Sequence, residues 1–146
     1  MRIHAIDNSG SFYVVRQKVF CALRTYAKDD DMIIMFGTEV SKPRRWRDVK
    51  AAGHEALFQN VFGGTDLMEV FRWMDNRFIS HHDTLIIYSD FECQIPSEDS
   101  FYRTEFVDVY GNSRGPFPNS NIFRVGDFEE GYRVLPWPEH CALQPA

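Results

Sequence analysis

The chain has 146 residues, of which 44% are hydrophobic and 25% charged, with a formal net charge of -5. That length fits one domain with a real core and is too short for a second catalytic module, so a single domain over residues 1–146 is expected. The negative balance argues against a general nucleic-acid or anionic-membrane binder, and no apolar run approaches the ~18 residues that cross a bilayer. The first strand pattern begins at Arg2, leaving no room for a signal peptide, so a cytoplasmic protein is expected. Cys21, Cys93 and Cys141 are an odd number at wide spacings without a Cys-x-x-Cys pair, and reduced thiols are the expectation.

In chain order, residues 2 to 6 read as a first strand, and residues 12 to 27 carry Val15, Val19, Ala22, Leu23 and Tyr26 at helical spacing, with Ser11 as a sensible N-cap. Lys28-Asp29-Asp30-Asp31 is a solvated turn, and Met32 to Phe36 is a continuous apolar run suited to a buried parallel strand. Gly37-Thr38 turns into an edge strand around Glu39 to Ser41. Gly63-Gly64 breaks the chain before a helix bearing Leu67, Val70, Phe71 and Met74, which Thr65 or Asp66 can cap and which ends near Phe78 to Ser80. Thr84 to Tyr88 is apolar on both faces and therefore central, with helices on either side. Phe106 to Tyr110 reads as the last parallel strand. Residues 111 to 121 hold Gly, Pro, Asn and Ser, Ile122 to Val125 and Tyr132 to Leu135 suit a hairpin, and Pro136-Trp137-Pro138 suits a surface tail. Alternating strands and helices predict a three-layer α/β/α fold around a mainly parallel, Rossmann-like sheet, ending in an atypical hairpin and tail.

Chemistry concentrates at three points of this pattern. Asp7-Asn8-Ser9-Gly10-Ser11 follows the first strand, Gly63-Gly64-Thr65-Asp66 opens a helix, and Ser89-Asp90 closes the most apolar strand. Open α/β sheets place ligands at such carboxyl edges, and a carboxylate with alternating hydroxyls offers the oxygen ligands that hard divalent cations take.

In that order, Asp7, Ser9, Ser11, Thr65 and Asp90 resemble, position by position, the metal-ion-dependent adhesion site of von Willebrand factor A (vWA) domains. The resemblance covers about residues 2 to 110, and residues 111–146 form an irregular extension to which nothing is carried over. It implies a vWA-like fold and a Mg²⁺ or Mn²⁺ ion held by Ser9, Ser11 and Thr65, with Asp7 and Asp90 acting through water. It also implies metal-dependent binding of a partner protein that presents an Asp or Glu, and no catalytic residues. Mostly neutral ligands leave the ion its charge toward the open coordination position. The bare domain looks closest to stand-alone vWA-like proteins of bacteria and phages, some of which accompany metallopeptidases or AAA+ ATPases. Where the family usually reads Thr-Asp-Gly, this chain has Ser89-Asp90-Phe91, a bulky aromatic in place of a small residue.

Two other readings compete. Asp7, Asp90 and Glu92 can serve a Mg²⁺-dependent hydrolase of phosphatase or nuclease type, although the overall charge supplies no basic substrate path. The site can also be idle in a regulatory module. The basic cluster Arg44-Arg45-Trp46-Arg47 reads first as a solvated edge that blocks strand pairing and second as a phosphate or acidic-partner contact. His81-His82, His54, Glu55, His140 and Cys141 form no recognisable ligand set.

Overall fold

The computed structural model describes residues 1–58, 64–77, 83–91, 103–108 and 132–141, with the side chains of Ser11, Tyr13 and Asp108 outside that set. Three short apolar runs form the middle of the sheet: β1 (Arg2–Asp7), β2 (Met32–Phe36) and β4 (Thr84–Ser89). With β3 (Arg44–Arg45), β5 (Thr104–Asp108) and β6 (Tyr132–Leu135) they give the order β3-β2-β1-β4-β5-β6. Every pairing is parallel except β2 with β3. β4 is buried along its whole length because both sheet faces are covered, which is why its sequence does not alternate.

Ile6, Ile33, Met35, Ile86, Tyr88 and Val107 form one face and pack on Val19, Phe20 and Leu23 of α2 (Arg16–Tyr26) and on Trp46 and Val49 of α3 (Trp46–Ala52). On the other face, Ile3, Ala5, Ile34, Phe36, Leu85, Ile87 and Phe106 pack on Leu67 and Val70 of α5 (Leu67–Asp75). Each large apolar side chain sealed between these layers contributes about 1.5–3 kcal/mol. The three-layer, mainly parallel architecture expected from the sequence is the one observed.

Several local expectations are corrected. The helix pattern from residue 12 to 27 divides into α1 (Gly10–Tyr13) and α2, and the break falls at the adjacent β-branched residues Val14 and Val15, which helices accommodate poorly. Ser11 lies inside α1, and Ser9 stands at its N-cap position. Around Glu39 to Ser41 there is a single bridge, Phe36 with Val40, and the antiparallel edge strand is Arg44–Arg45 instead. Both edge arginines are exposed, and the neighbouring cations are met by the acidic turn: Arg45 lies 3.7 Å from Asp30, and Lys50 lies 2.8 Å from Asp29. The basic cluster thus includes the edge strand of the sheet, with Arg45 and Arg47 paired to Asp30. It runs on into α3 and then α4 (His54–Leu57), neither of which the sequence pattern announced. Tyr132–Leu135 is a strand, but it adds to the sheet in parallel beside β5. Its expected hairpin partner, Ile122 to Val125, lies outside the described residues, as do Glu92, Cys93 and His81-His82.

A polar group crosses the first face. His4 is fully buried, with Nε2 2.8 Å from Asp31 Oδ2 and Nδ1 2.8 Å from the Tyr88 hydroxyl. Burial pushes His4 below its ordinary value against the pull of Asp31, and burial pushes the Tyr88 phenol well up. A neutral imidazole donating from Nε2 to Asp31 and accepting at Nδ1 from Tyr88 satisfies all three groups.

After β6 the chain turns back across α2. The Tyr26 hydroxyl donates to the Pro136 carbonyl, and Trp137 packs against the first core face while its Nε1 donates to the Cys141 carbonyl at 3.0 Å. A disulfide joins Cys21 to Cys141, overturning the expectation of reduced thiols. The parallel placement of β6 is what delivers the tail to α2, a juxtaposition that spacing along the chain does not reveal.

Candidate functional site

In the strand order observed here, chain connections leave β1 toward β2 on one side, and β4 stands on the other. That reversal is a topological switch point, and doubly wound sheets bind ligands in the crevice outside the carboxyl ends of the strands at such a point. Asp7 ends β1 and Ser89 ends β4, so the two flank this crevice from adjacent strands.

Asp7 is the hub. Its Oδ1 accepts from the backbone N–H of Ser9 at 2.9 Å and from the Thr65 hydroxyl at 3.1 Å, and its Oδ2 accepts from the Ser89 hydroxyl at 2.7 Å. The Ser9 hydroxyl also bonds to this carboxylate. Ser9 can do so because, at the N-cap position of α1, its side chain makes no capping bond. Asn8 N–H donates to the Phe36 carbonyl at 2.7 Å, tying the loop to the end of β2.

Thr65 comes from the far side of the crevice. Asp66 N–H donates to the Gly37 carbonyl at 2.9 Å, and Asp66 Oδ1 accepts from Met68 N–H at 3.1 Å, capping α5. The turn is thereby clamped between β2 and α5, with Thr65 aimed at Asp7. Asp66 is therefore the cap of α5, the one of the two candidates that the structure selects, and the Thr65 hydroxyl is directed to Asp7 instead.

Of the five residues singled out by the motif, Asp7, Ser9 and Thr65 meet directly. Asp90 follows β4, is half-buried, and its negative charge acts on Asp7. Ser11 lies in α1, one residue after its first position, and its side chain is outside the described atoms. Ser89 is a sixth participant, which the sequence places beside Asp90 but to which the motif assigns no role. A lone hydroxyl at the polar end of the otherwise apolar Leu85-Ile86-Ile87-Tyr88 run was the available signal.

The electrostatics of Asp7 are unusual for a buried carboxylate. Its side chain is wholly enclosed, and burial raises its pKa above the usual 3.8; the hydrogen bonds from Ser89 and Ser9 oppose that rise, and Asp90 adds to it. Among the described residues no lysine, arginine or histidine pairs with it. A buried charge without a counter-charge is costly, and neutral donors offset only part of that cost. Among the described residues, the side-chain donors gathered at Asp7 are carboxylate and hydroxyl oxygens, a set that suits a hard divalent cation such as Mg²⁺ or Mn²⁺.

Phe91 departs most from the resemblance. It has φ 57°, in the left-handed region that favours glycine, and it accepts that conformation while packing edge-on against Phe106 with ring centroids 5.4 Å apart. Its N–H donates to the Ser89 hydroxyl at 3.0 Å. Phe91 thus combines a glycine-like backbone conformation with an aromatic plug anchored in the second core face.

No family model matches the sequence, and no curated protein matches it. Among solved structures, the chain is similar to an aerotolerance-related membrane protein from Bacteroides fragilis NCTC 9343 that carries multiple mutations to serine. That likeness has 13% identity and a TM-score of 0.48 over 96% of this chain and 83% of that one. It is also similar to the conserved hypothetical protein BatB from Bacteroides thetaiotaomicron, at 15% identity and a TM-score of 0.50 over 97% of this chain and 82% of that one. At such identity the likeness concerns fold. Among the described residues of the present chain no helix is long and apolar enough to cross a membrane. Strand order, layering and structural likeness together give this chain a vWA-like α/β fold with a buried carboxylate at its topological switch point.

Proposed function

We propose that the crevice at the ends of β1 and β4 is a divalent-cation site through which this domain captures a carboxylate of a partner protein. The observation that carries the reading is Asp7: a buried carboxylate at the switch point, held by Ser9, Thr65 and Ser89, with no cation from the described chain to balance it. Asp7 and Asp90 would supply negative charge, and Ser9, Ser11 and Thr65 neutral oxygens. A bound Mg²⁺ or Mn²⁺ would supply the net positive charge that attracts an Asp or Glu side chain of the partner. Asp7 has a second task, because its hydrogen bonds fix the Ser9 loop, the Thr65 turn and the end of β4 relative to one another. Phe91 closes the apolar side of the crevice.

Thermal unfolding of metal-free protein, titrated with Mg²⁺ and Mn²⁺, tests the site. Stabilisation of about 2.7 kcal/mol is expected at a metal concentration one hundred times the dissociation constant. Ser9→Ala should weaken the response and Asp7→Asn should remove it. An unchanged melting curve at millimolar metal for the wild type would overturn the reading. Pull-down from the native cell with and without EDTA then tests partner capture, which should be lost with chelator.

A further inference from the structure

A second cluster lies against α2. Cys21 projects from α2, and Cys141 ends the 3₁₀ turn Glu139–Cys141; they are 120 residues apart in sequence and 5.6 Å apart at Cα. His140 sits beside them, its Nε2 3.1 Å from the Thr25 hydroxyl, and Thr25 lies one helical turn beyond Cys21 on the same helix. A ring nitrogen of His140 and the two sulfurs all lie within 4.8 Å of one another. Cys141 is buried, Cys21 half-buried and His140 exposed, so the group is open to solvent from one side only.

We propose that Cys21, His140 and Cys141 are a redox-gated metal site that holds Zn²⁺ when the cysteines are reduced and forms the disulfide when they are oxidised. Zinc takes thiolate sulfur and imidazole nitrogen in a tetrahedron whose sulfurs stand about 3.8 Å apart, given Zn–S bonds near 2.3 Å. Three protein ligands fill three corners and water the fourth. The cysteine Cα separation already matches a close sulfur pair, so only the sulfurs need to part. Thr25, bonded to the imidazole, sets the ring's orientation as an outer partner of the site.

The exchange balances with a dithiol as reductant. One of its thiolates attacks a protein sulfur, the S–S bond breaks, and a mixed disulfide forms. The second thiol then closes the reductant's own disulfide and leaves Cys21 and Cys141 as thiols, two electrons having passed to the protein. Zinc binding converts the two thiols to thiolates and releases two protons. In both states the C-terminal turn stays clasped to α2, covalently in one and through the metal in the other. The site is independent of the oxygen-lined crevice at Asp7, because soft sulfur ligands do not select Mg²⁺.

Cobalt titration tests this on the full chain carrying Cys93→Ser, so that the third thiol cannot contribute. Reduced protein, freed of dithiol under anaerobic conditions, should develop a thiolate-to-cobalt charge-transfer band and tetrahedral visible bands at one metal per chain, both abolished by added Zn²⁺. The same protein left oxidised should show neither, an internal control that requires no further substitution. Cys21→Ser should abolish the band, and His140→Ala should weaken cobalt affinity at least about tenfold, the smallest loss seen even for outer partners of metal sites. Reduced protein without a charge-transfer band, a band that survives Cys21→Ser, or an affinity unchanged by His140→Ala would overturn the proposal.

Discussion

Asp7 and Asp31 are both buried carboxylates held by three residues apiece, yet their acidities are displaced in opposite directions. Burial alone would raise Asp31. The hydrogen bond from His4, the Lys28 N–H at 3.0 Å, and the positive charge of Arg2 at 3.5 Å more than compensate, and its pKa is held below the usual range. Asp7 accepts a comparable number of hydrogen bonds, all from neutral hydroxyls and backbone, and burial wins. Two things differ, the depth of burial, 0% exposed for Asp7 against 6% for Asp31, and a cation. Asp31 has one supplied from within the chain and forms a finished structural joint. Among the described residues Asp7 has the hydrogen bonds of such a joint without a cation, the imbalance that the proposed metal would relieve.

The largest effect that can break this comparison is at Asp7 itself. In Asp7→Asn the acceptor at Oδ1 is kept and the unbalanced charge removed, so the metal-free variant should be at least as stable as wild type at neutral pH. On addition of Mg²⁺ the order should invert, because only wild type gains. Urea unfolding with and without metal checks this, and a variant markedly less stable than wild type in the absence of metal would show Asp7 to be a structural residue like Asp31. The mirror experiment is Asp31→Ala, which strands His4, the Lys28 N–H and Arg2 together. A loss of about 3 kcal/mol is expected, with the Mg²⁺ response intact.

The pH dependence sharpens the contrast. His4 is held neutral by burial below its ordinary 6.5, so beneath that pH the unfolded chain takes up a proton that the folded chain refuses, and stability falls as the solution is acidified. Asp31 acts in the same sense at lower pH, its contribution present above 3.8 and lost as pH drops through its depressed folded value. Asp7 has the reverse sign. Between 3.8 and its raised folded value the folded chain binds the extra proton, so its contribution is full at low pH and is lost as pH rises. The stability difference between Asp7→Asn and wild type, measured without metal, should therefore grow with pH from about pH 3.8 upward, by at most about 1.4 kcal/mol per pH unit. Parallel pH profiles for the two proteins would remove the special status of Asp7.

The legible parts of this molecule were those in which chemistry and local pattern coincide. β2 and β4 are continuous apolar runs, β1 is apolar but for His4 between its ends, and all three end within a residue of expectation. The meeting of Asp7, Ser9 and Thr65 is legible because each sits at a strand end or helix start that the parallel sheet gathers on one edge. What escaped has a different cause. α3 buries only Trp46 and Val49 amid Arg47, Asp48 and Lys50, so its apolar periodicity is two residues deep and is masked by charge. His4 reads as a polar residue in an apolar strand until Asp31 and Tyr88 are seen on either side of it. Cys21 and Cys141 meet only because β6 adds in parallel beside β5, a decision of topology that leaves no local trace.

Ser89 is the smallest and most discriminating test. Its hydroxyl donates to Asp7 Oδ2 and accepts from Phe91 N–H, so it links the hub carboxylate to the strained turn in a single step. Removing it in Ser89→Ala takes one of the donors that oppose the rise in the Asp7 pKa, and leaves Phe91 N–H without that acceptor. A loss of about 1 kcal/mol is expected in metal-free protein. If Asp7 were merely a local cap, that would be the whole effect. If Asp7 is the charge around which a cation site is built, Ser89→Ala should also raise the Asp7 pKa further, since a donor favouring the ionised form is gone. Metal and proton would then compete for a more basic carboxylate, and the apparent Mg²⁺ affinity should fall more steeply on acidification than in wild type. Calorimetric titration at two pH values reads that steepening directly, and equal pH dependence in the two proteins would assign Ser89 to the turn alone.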